Sequence, residues 1–109
     1  MSDRDNDSHE ILVATVVIPK VKEELRKPRM FKVIMLNDDY TDMDFVIALL
    51  KTYFNKSTKE AQDIMLEVHE KGRAIVGIYS LDIAQTRTRL AMKHARKEEY
   101  PLQIKIESV

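Results

Sequence analysis

One stretch constrains this chain more than any other: Leu36-Asn37-Asp38-Asp39-Tyr40-Thr41-Asp42-Met43-Asp44-Phe45. Phe31 to Leu36 ahead of it reads as a buried strand, and Phe45-Val46-Ile47-Ala48-Leu49-Leu50 after it continues as an apolar helix. An acidic turn is thus held between two elements that the core must absorb, which puts an amide and two carboxylates at the mouth of any groove left open there. Thr41 and Asp44 have the spacing of a short-armed capping box for the helix start. The plainer reading is turn chemistry alone, because Asn and Asp bond their own backbone and favour turns.

With 109 residues the chain makes one small domain, provided that most of the later apolar residues share a single core. Eighteen basic and eighteen acidic residues cancel, so the totals carry no bias toward nucleic acid or an anionic membrane. The absence of cysteine excludes a disulfide framework, a thiolate metal site and a thiol nucleophile. The longest apolar run, Ile11 to Ile18, falls short of the roughly 20 residues that cross a bilayer. Asp3, Asp5 and Asp7 ahead of it do not make the basic start of a signal peptide. The expectation is a soluble cytoplasmic protein that engages neither nucleic acid nor membrane.

Residues 1–29 are expected to form a flexible or extended arm, and residues 30–109 the core domain. Within the arm Ile11 to Ile18 is apolar and β-branched, suited to an edge strand or to gripping a partner. Met30 to Leu36 is the first strand, and a helix from Asp42 to about Phe54 carries Met43, Val46, Ile47, Leu50 and Phe54 on one stripe. Ser57 and Glu60 form a second capping-box match, opening a helix to about Lys71 with Gly72 as its left-handed stop. Ala74 to Tyr79 is the second strand. Ser80 is placed to cap a third helix, Leu81 to about Lys97, with Ile83, Arg87, Leu90, Ala91 and His94 along one face. Leu102 to Glu107 alternates as a strand with one wet face. The order β-α-α-β-α-β predicts a small α+β domain in which three helices pack on a three-stranded antiparallel sheet.

Most site chemistries fail on residue inventory. A calcium loop lacks its central glycine and its closing Glu, and Gly72 and Gly77 alone cannot build a phosphate-cradling loop. His9, His69 and His94 have no metal-ligand spacing, so neither metal nor other cofactor is expected. Asp38 and His69 remain as an acid/base pair for an enzyme, though no Ser or Thr stands out as its nucleophile. The reading that survives best is a receptor for a cation with an apolar neighbour. Asp38 supplies negative charge, Asn37 and His69 supply directional hydrogen bonds, and Met43, Met65, Val46 and Val68 line an adjoining hole. A free peptide amino terminus with a bulky first side chain has that shape.

Pro28 to Ile34, Asn37-Asp38-Asp39-Tyr40-Thr41, Met43-Asp44-Phe45-Val46-Ile47, Val68-His69 before Gly72, and Ala95-Arg96 ahead of Pro101-Leu102 resemble the ClpS family, bacterial adaptors of the Clp protease. The resemblance runs from about Lys27 to the end of the chain. It implies a non-enzymatic, monomeric adaptor that binds N-degron substrates beginning with Leu, Phe, Tyr or Trp and delivers them to the ClpA unfoldase of ClpAP. It further implies that Asn37, Asp38 and His69 hold the substrate α-amino group, and that Met35, Thr41, Met43, Val46, Met65, Val68 and Leu102 shape the side-chain pocket, with Met43 as its gate. By the same resemblance Tyr40, Asp82 and Arg87 dock on the ClpA amino-terminal domain, the last two in place of the commoner Glu and Lys. A module of purely structural or ribosome-associated role is the other alternative, and it would show no preference among first residues.

Overall fold

The computed structural model describes residues 29–109; the expected arm and its apolar segment Ile11–Ile18 lie outside them. The elements follow in the order β1 (Met30–Leu36), α1 (Met43–Phe54), α2 (Thr58–Lys71), β2 (Arg73–Ser80), α3 (Leu81–Lys97) and β3 (Gln103–Ser108). β1 is the central strand, antiparallel to β2 on one side and to β3 on the other. This is the predicted α+β architecture.

Register decides which strand residues meet the helices. Val33 pairs with Gly77 and Ile106, and Met35 with Ala74 and Ile104, so these side chains share one face of the sheet. They join one buried cluster with Leu49, Leu50 and Phe54 of α1, Ala61 and Val68 of α2, and Ala84, Ala91 and Ala95 of α3. The register slips between Val33 and Ile34, leaving Val76 as the extra residue of a bulge in β2. Val76 is buried all the same. Three positions beyond it, the Tyr79 ring fills the space beside Gly77: a Cβ there would stand 2.5 Å from the Tyr79 hydroxyl, so any side chain at this position would have to push the ring aside.

The third helix corrects the expected face. Its buried stripe is Ala84, Thr88, Ala91 and Ala95, whereas Ile83 and Leu90 are each more than 40 % exposed. Small side chains let the helix backbone come close to the sheet, and the large aliphatics are turned outward. Thr88 lies in this dry interface with no partner for its hydroxyl among the described residues. Ser80 is the N-cap, but its side chain makes no capping bond.

The second helix follows its sequence signals closely. The Ser57 hydroxyl accepts from the Glu60 amide at 3.1 Å, and the Glu60 carboxylate accepts from the Ser57 amide at 2.9 Å. Gly72 closes the helix at φ 87° and donates its N–H to the Val68 carbonyl at 2.8 Å. The bond from the Ser57 backbone, followed by that from its side chain, holds the Glu60 carboxyl below its ordinary value of 4.5. A carboxyl that is more acidic when folded stabilises above its unfolded value and loses that contribution as pH falls through the folded one. Glu60→Ala is therefore expected to destabilise the protein at about pH 7, with the deficit shrinking in acid below the ordinary value of 4.5. Ser57→Ala is expected to cost about 1 kcal/mol at neutral pH. Urea denaturation of both variants at neutral and acid pH checks this, and a Glu60→Ala deficit that persists undiminished in acid contradicts it.

Candidate functional site

The candidate site forms where β1 ends. β1 carries its ladder one residue further through a bond from the Asn37 amide to the Gly72 carbonyl, 3.0 Å, and so ties the acidic turn to the end of α2. That helix end carries Val68 and His69. Asn37 and His69, far apart in sequence, are brought to one rim by this bond.

The turn is organised by Asp38. Its Oδ1 accepts from the Tyr40 amide at 2.8 Å and the Thr41 amide at 2.7 Å, and the Thr41 hydroxyl lies 2.7 Å from Oδ2 and 3.0 Å from Oδ1. Acceptance by an ionised carboxylate makes these bonds strong. The expected capping box is not formed, because Thr41 faces back to Asp38. α1 begins instead at Met43 behind Asp42, whose side chain makes no capping bond. Asp38 is also not hydrogen-bonded to His69 in the described structure, so the pair that acid/base chemistry would need is absent and the carboxylate is committed to the turn.

Asp39 differs from its neighbour. Its side chain is exposed, accepts no hydrogen bond from the described residues, and lines the same cavity. The sequence places Asp39 in the acidic turn at the groove mouth but gives it no binding role, and it gives no signal for Leu36, which lines the same cavity. For Asp39 the signal was available: an Asp followed three positions later by Thr is a self-capping turn, which commits Asp38 inward and leaves Asp39 as the outward charge.

Below the rim lies a cavity of about 160 Å³. Met35 and Leu102 are buried beneath it, Val46 of α1 and Val68 of α2 form facing walls, and Met65 is half-buried. Thr41 and Met43 stand at the mouth, where Met43 is 44 % exposed. Asn37, Asp38 and His69 complete the polar side. The arrangement joins an apolar hole of side-chain size to a polar rim that carries two carboxylates, an amide and an imidazole.

The residues expected to dock a partner are not together. Asp82 and Arg87 belong to the start of α3, next to Ser80, which pairs with Met30 at the far end of β1. Tyr40 follows the other end of β1 and is 80 % exposed. The six residue steps of the strand separate the two ends by about 20 Å. The Arg87 guanidinium stacks on the Tyr79 ring, 5.5 Å from its centre. Burial raises the Tyr79 hydroxyl above its ordinary value, with Arg87 acting in the opposite sense.

A receptor pocket on a small α+β domain defines a binding module. A family model for the ATP-dependent Clp protease adaptor protein ClpS matches residues 26–105. A ClpS adapter protein of Acetivibrio thermocellus is 48 % identical over 88 residues, covering 81 % of this chain and 89 % of its own length. One from Rhodospirillum centenum is 42 % identical over 104 residues, covering 94 % and 96 %. Agrobacterium tumefaciens ClpS2, solved with L-phenylalaninamide, matches with a TM-score of 0.74 and 34 % identity over 76 % of this chain and all of its own. The chain belongs to the ClpS family, the adaptors of the Clp protease. It is accordingly an adaptor and not an enzyme.

Breaking the turn tests its architecture. Asp38→Ala is expected to lose roughly 1 to 3 kcal/mol of stability, because several donors lose one shared acceptor. Hydrogen exchange of the Tyr40 and Thr41 amides, slow in the wild type, is expected to become fast in the variant. Equal protection in both proteins contradicts the role given to Asp38.

Proposed function

We propose that the cavity captures the amino terminus of protein substrates beginning with Leu, Phe, Tyr or Trp and that the adaptor hands them to the ClpA unfoldase of the ClpAP protease. One observation carries the reading: an apolar cavity sized for a single side chain opens at a rim where Asp39 has no hydrogen-bond partner among the described residues and Asn37 and His69 stand beside it. An α-ammonium is one carbon away from its own side chain, so a single residue reaches both features at once. Internal residues offer no such cation. The ligand of the Agrobacterium relative, L-phenylalaninamide, combines one free α-amino group with one benzyl side chain and supports this choice.

In this reading Asn37 accepts from the ammonium through its side-chain oxygen, His69 accepts through a ring nitrogen, and the adjacent carboxylates supply the charge. Asp38 contributes its field and holds the turn, while Asp39 is the carboxylate open to the ligand. Met35, Val46, Met65, Val68 and Leu102 enclose the first side chain, and Thr41 and Met43 border its entrance. Burying a Leu or Phe side chain contributes about 2 to 3 kcal/mol, and a charge-assisted hydrogen bond about 1.5 to 3 kcal/mol. Micromolar affinity corresponds to about 8 kcal/mol, so neither half of the site suffices alone and selection requires both.

Asp82 and Arg87 serve the ClpA amino-terminal domain at the opposite end of the sheet, so a docked partner leaves the substrate cavity open. Tyr40, on the cavity side, belongs to a separate contact. The adaptor acts as a monomer in this scheme, and no nucleic acid or membrane takes part.

A series of peptides differing only in the first residue tests the reading by fluorescence titration. Leu, Phe, Tyr and Trp are expected to bind, with Val and Ile excluded by Met43. Met43→Ala is expected to admit Val and Ile, because the exclusion is steric. Equal affinity for all first residues overturns the proposal. Loss of all binding in Met43→Ala, without broadening, overturns the gate.

A further inference from the structure

Three thioethers converge on the substrate cavity: Met35, Met43 and Met65 all line it, half of the chain's six methionines. Their exposure differs. Met35 is fully buried and Met65 half-buried, whereas Met43 is 44 % exposed at the mouth. Met43 is thus the cavity sulfur that a small oxidant meets first from water. Met30 is comparably exposed, at 41 %, but begins β1 at the opposite end of the sheet and has no part in the cavity. The chain has no cysteine, so its thioethers meet an oxidant without competition from a thiol of the same protein.

We propose that Met43 is an oxidation-sensitive gate, whose conversion to the sulfoxide by a peroxide-class oxidant reversibly weakens capture of bulky apolar first residues. The inference rests on the reading of the cavity as an amino-terminal binding site. In the reaction the sulfur lone pair attacks one peroxide oxygen. The S–O bond forms as the O–O bond breaks, and the departing hydroxide takes a proton and leaves as water. Sulfur is oxidised by two electrons and the peroxide reduced by two. A dithiol-dependent sulfoxide reductase removes the oxygen as water and restores the thioether, its dithiol becoming a disulfide.

The product is no longer an apolar wall. Turned inward, the sulfoxide oxygen sheds water beside Val46, Val68 and Leu102, which offer it no donor. Turned outward, the side chain withdraws its contact from the cavity and leaves the bound side chain partly wet. Both outcomes lower affinity. The shielded sulfurs deeper in the cavity react later, so a mild exposure modifies the mouth while the core stays packed.

The test treats the full chain with graded hydrogen peroxide, maps each methionine by mass spectrometry, and titrates every sample with a peptide beginning in Leu. Affinity is expected to fall roughly tenfold in protein carrying the Met43 sulfoxide, to follow Met43 conversion and not that of Met30, and to return after treatment with methionine sulfoxide reductases. In Met43→Leu the quantity read is the ratio of affinities before and after peroxide, which is expected to stay near unity whatever the starting affinity. The wild-type series decides the question by itself if that variant binds no peptide. Full Met43 conversion with unchanged affinity overturns the proposal, as does a loss that follows another methionine or resists the reductases. Untreated protein that ignores the peptide overturns the amino-terminal reading together with this one, whereas normal binding insensitive to oxidation overturns this one alone.

Discussion

The Asp38 carboxylate is the fixed point of the site. By accepting from two backbone amides and one hydroxyl within three residues, it reverses the chain between β1 and α1 without glycine and without a helix cap. Three consequences follow. Thr41 is drawn inward to the cavity side, Met43 becomes the first helical residue and stands over the opening, and Asp39 is left exposed with no hydrogen-bond partner among the described residues. Charge-assisted bonds to backbone amides cost little side-chain freedom because Asp has only two rotatable bonds, so the turn is made rigid by chemistry already present in it.

The rest of the fold serves to enclose what that turn begins. The cavity exists because α1 and α2 present Val46 and Val68 across a gap that the sheet floors with Met35 and the β3 approach closes with Leu102. The αL glycine at position 72 ends α2 at the point where its final turn, with His69, meets the Asn37 amide. Meanwhile α3 packs through alanines and turns Leu81, Ile83 and Leu90 to solvent beside Asp82 and Arg87. The domain therefore has a cavity end and a second, chemically different end, joined by the short central strand. An adaptor that holds a substrate while bound to a protease needs such a separation.

Much of this was legible in the sequence because the signals were local. β1 was bounded by its apolar run, α2 by a capping box at Ser57 and Glu60 and by Gly72, and β3 by strict alternation. The helix positions facing the cavity followed from 3.6-residue spacing once β1 and α2 were placed. What was not legible depended on distance between elements. On α3 the sequence puts Ile83, Leu90 and Ala91 along one face, whereas the close approach of helix to sheet admits only the small Ala84, Thr88, Ala91 and Ala95. Thr41 has the spacing to cap α1 together with Asp44, but its hydroxyl has a nearer, charged acceptor in Asp38. The resemblance groups Tyr40 with Asp82 and Arg87, and the strand register places them at opposite ends of the sheet.

The central claim is that one residue of the ligand supplies both a cation for the rim and a side chain for the cavity. The direct measurement is the affinity of a peptide beginning in Leu, compared with the same peptide acetylated at its α-amino group. Acetylation leaves the side chain intact and removes only the positive charge and its donors. The expected result is a loss of at least about tenfold, the scale of one charge-assisted hydrogen bond. Equal affinity for the two peptides would contradict the claim and leave an apolar cavity with no role for its acidic rim.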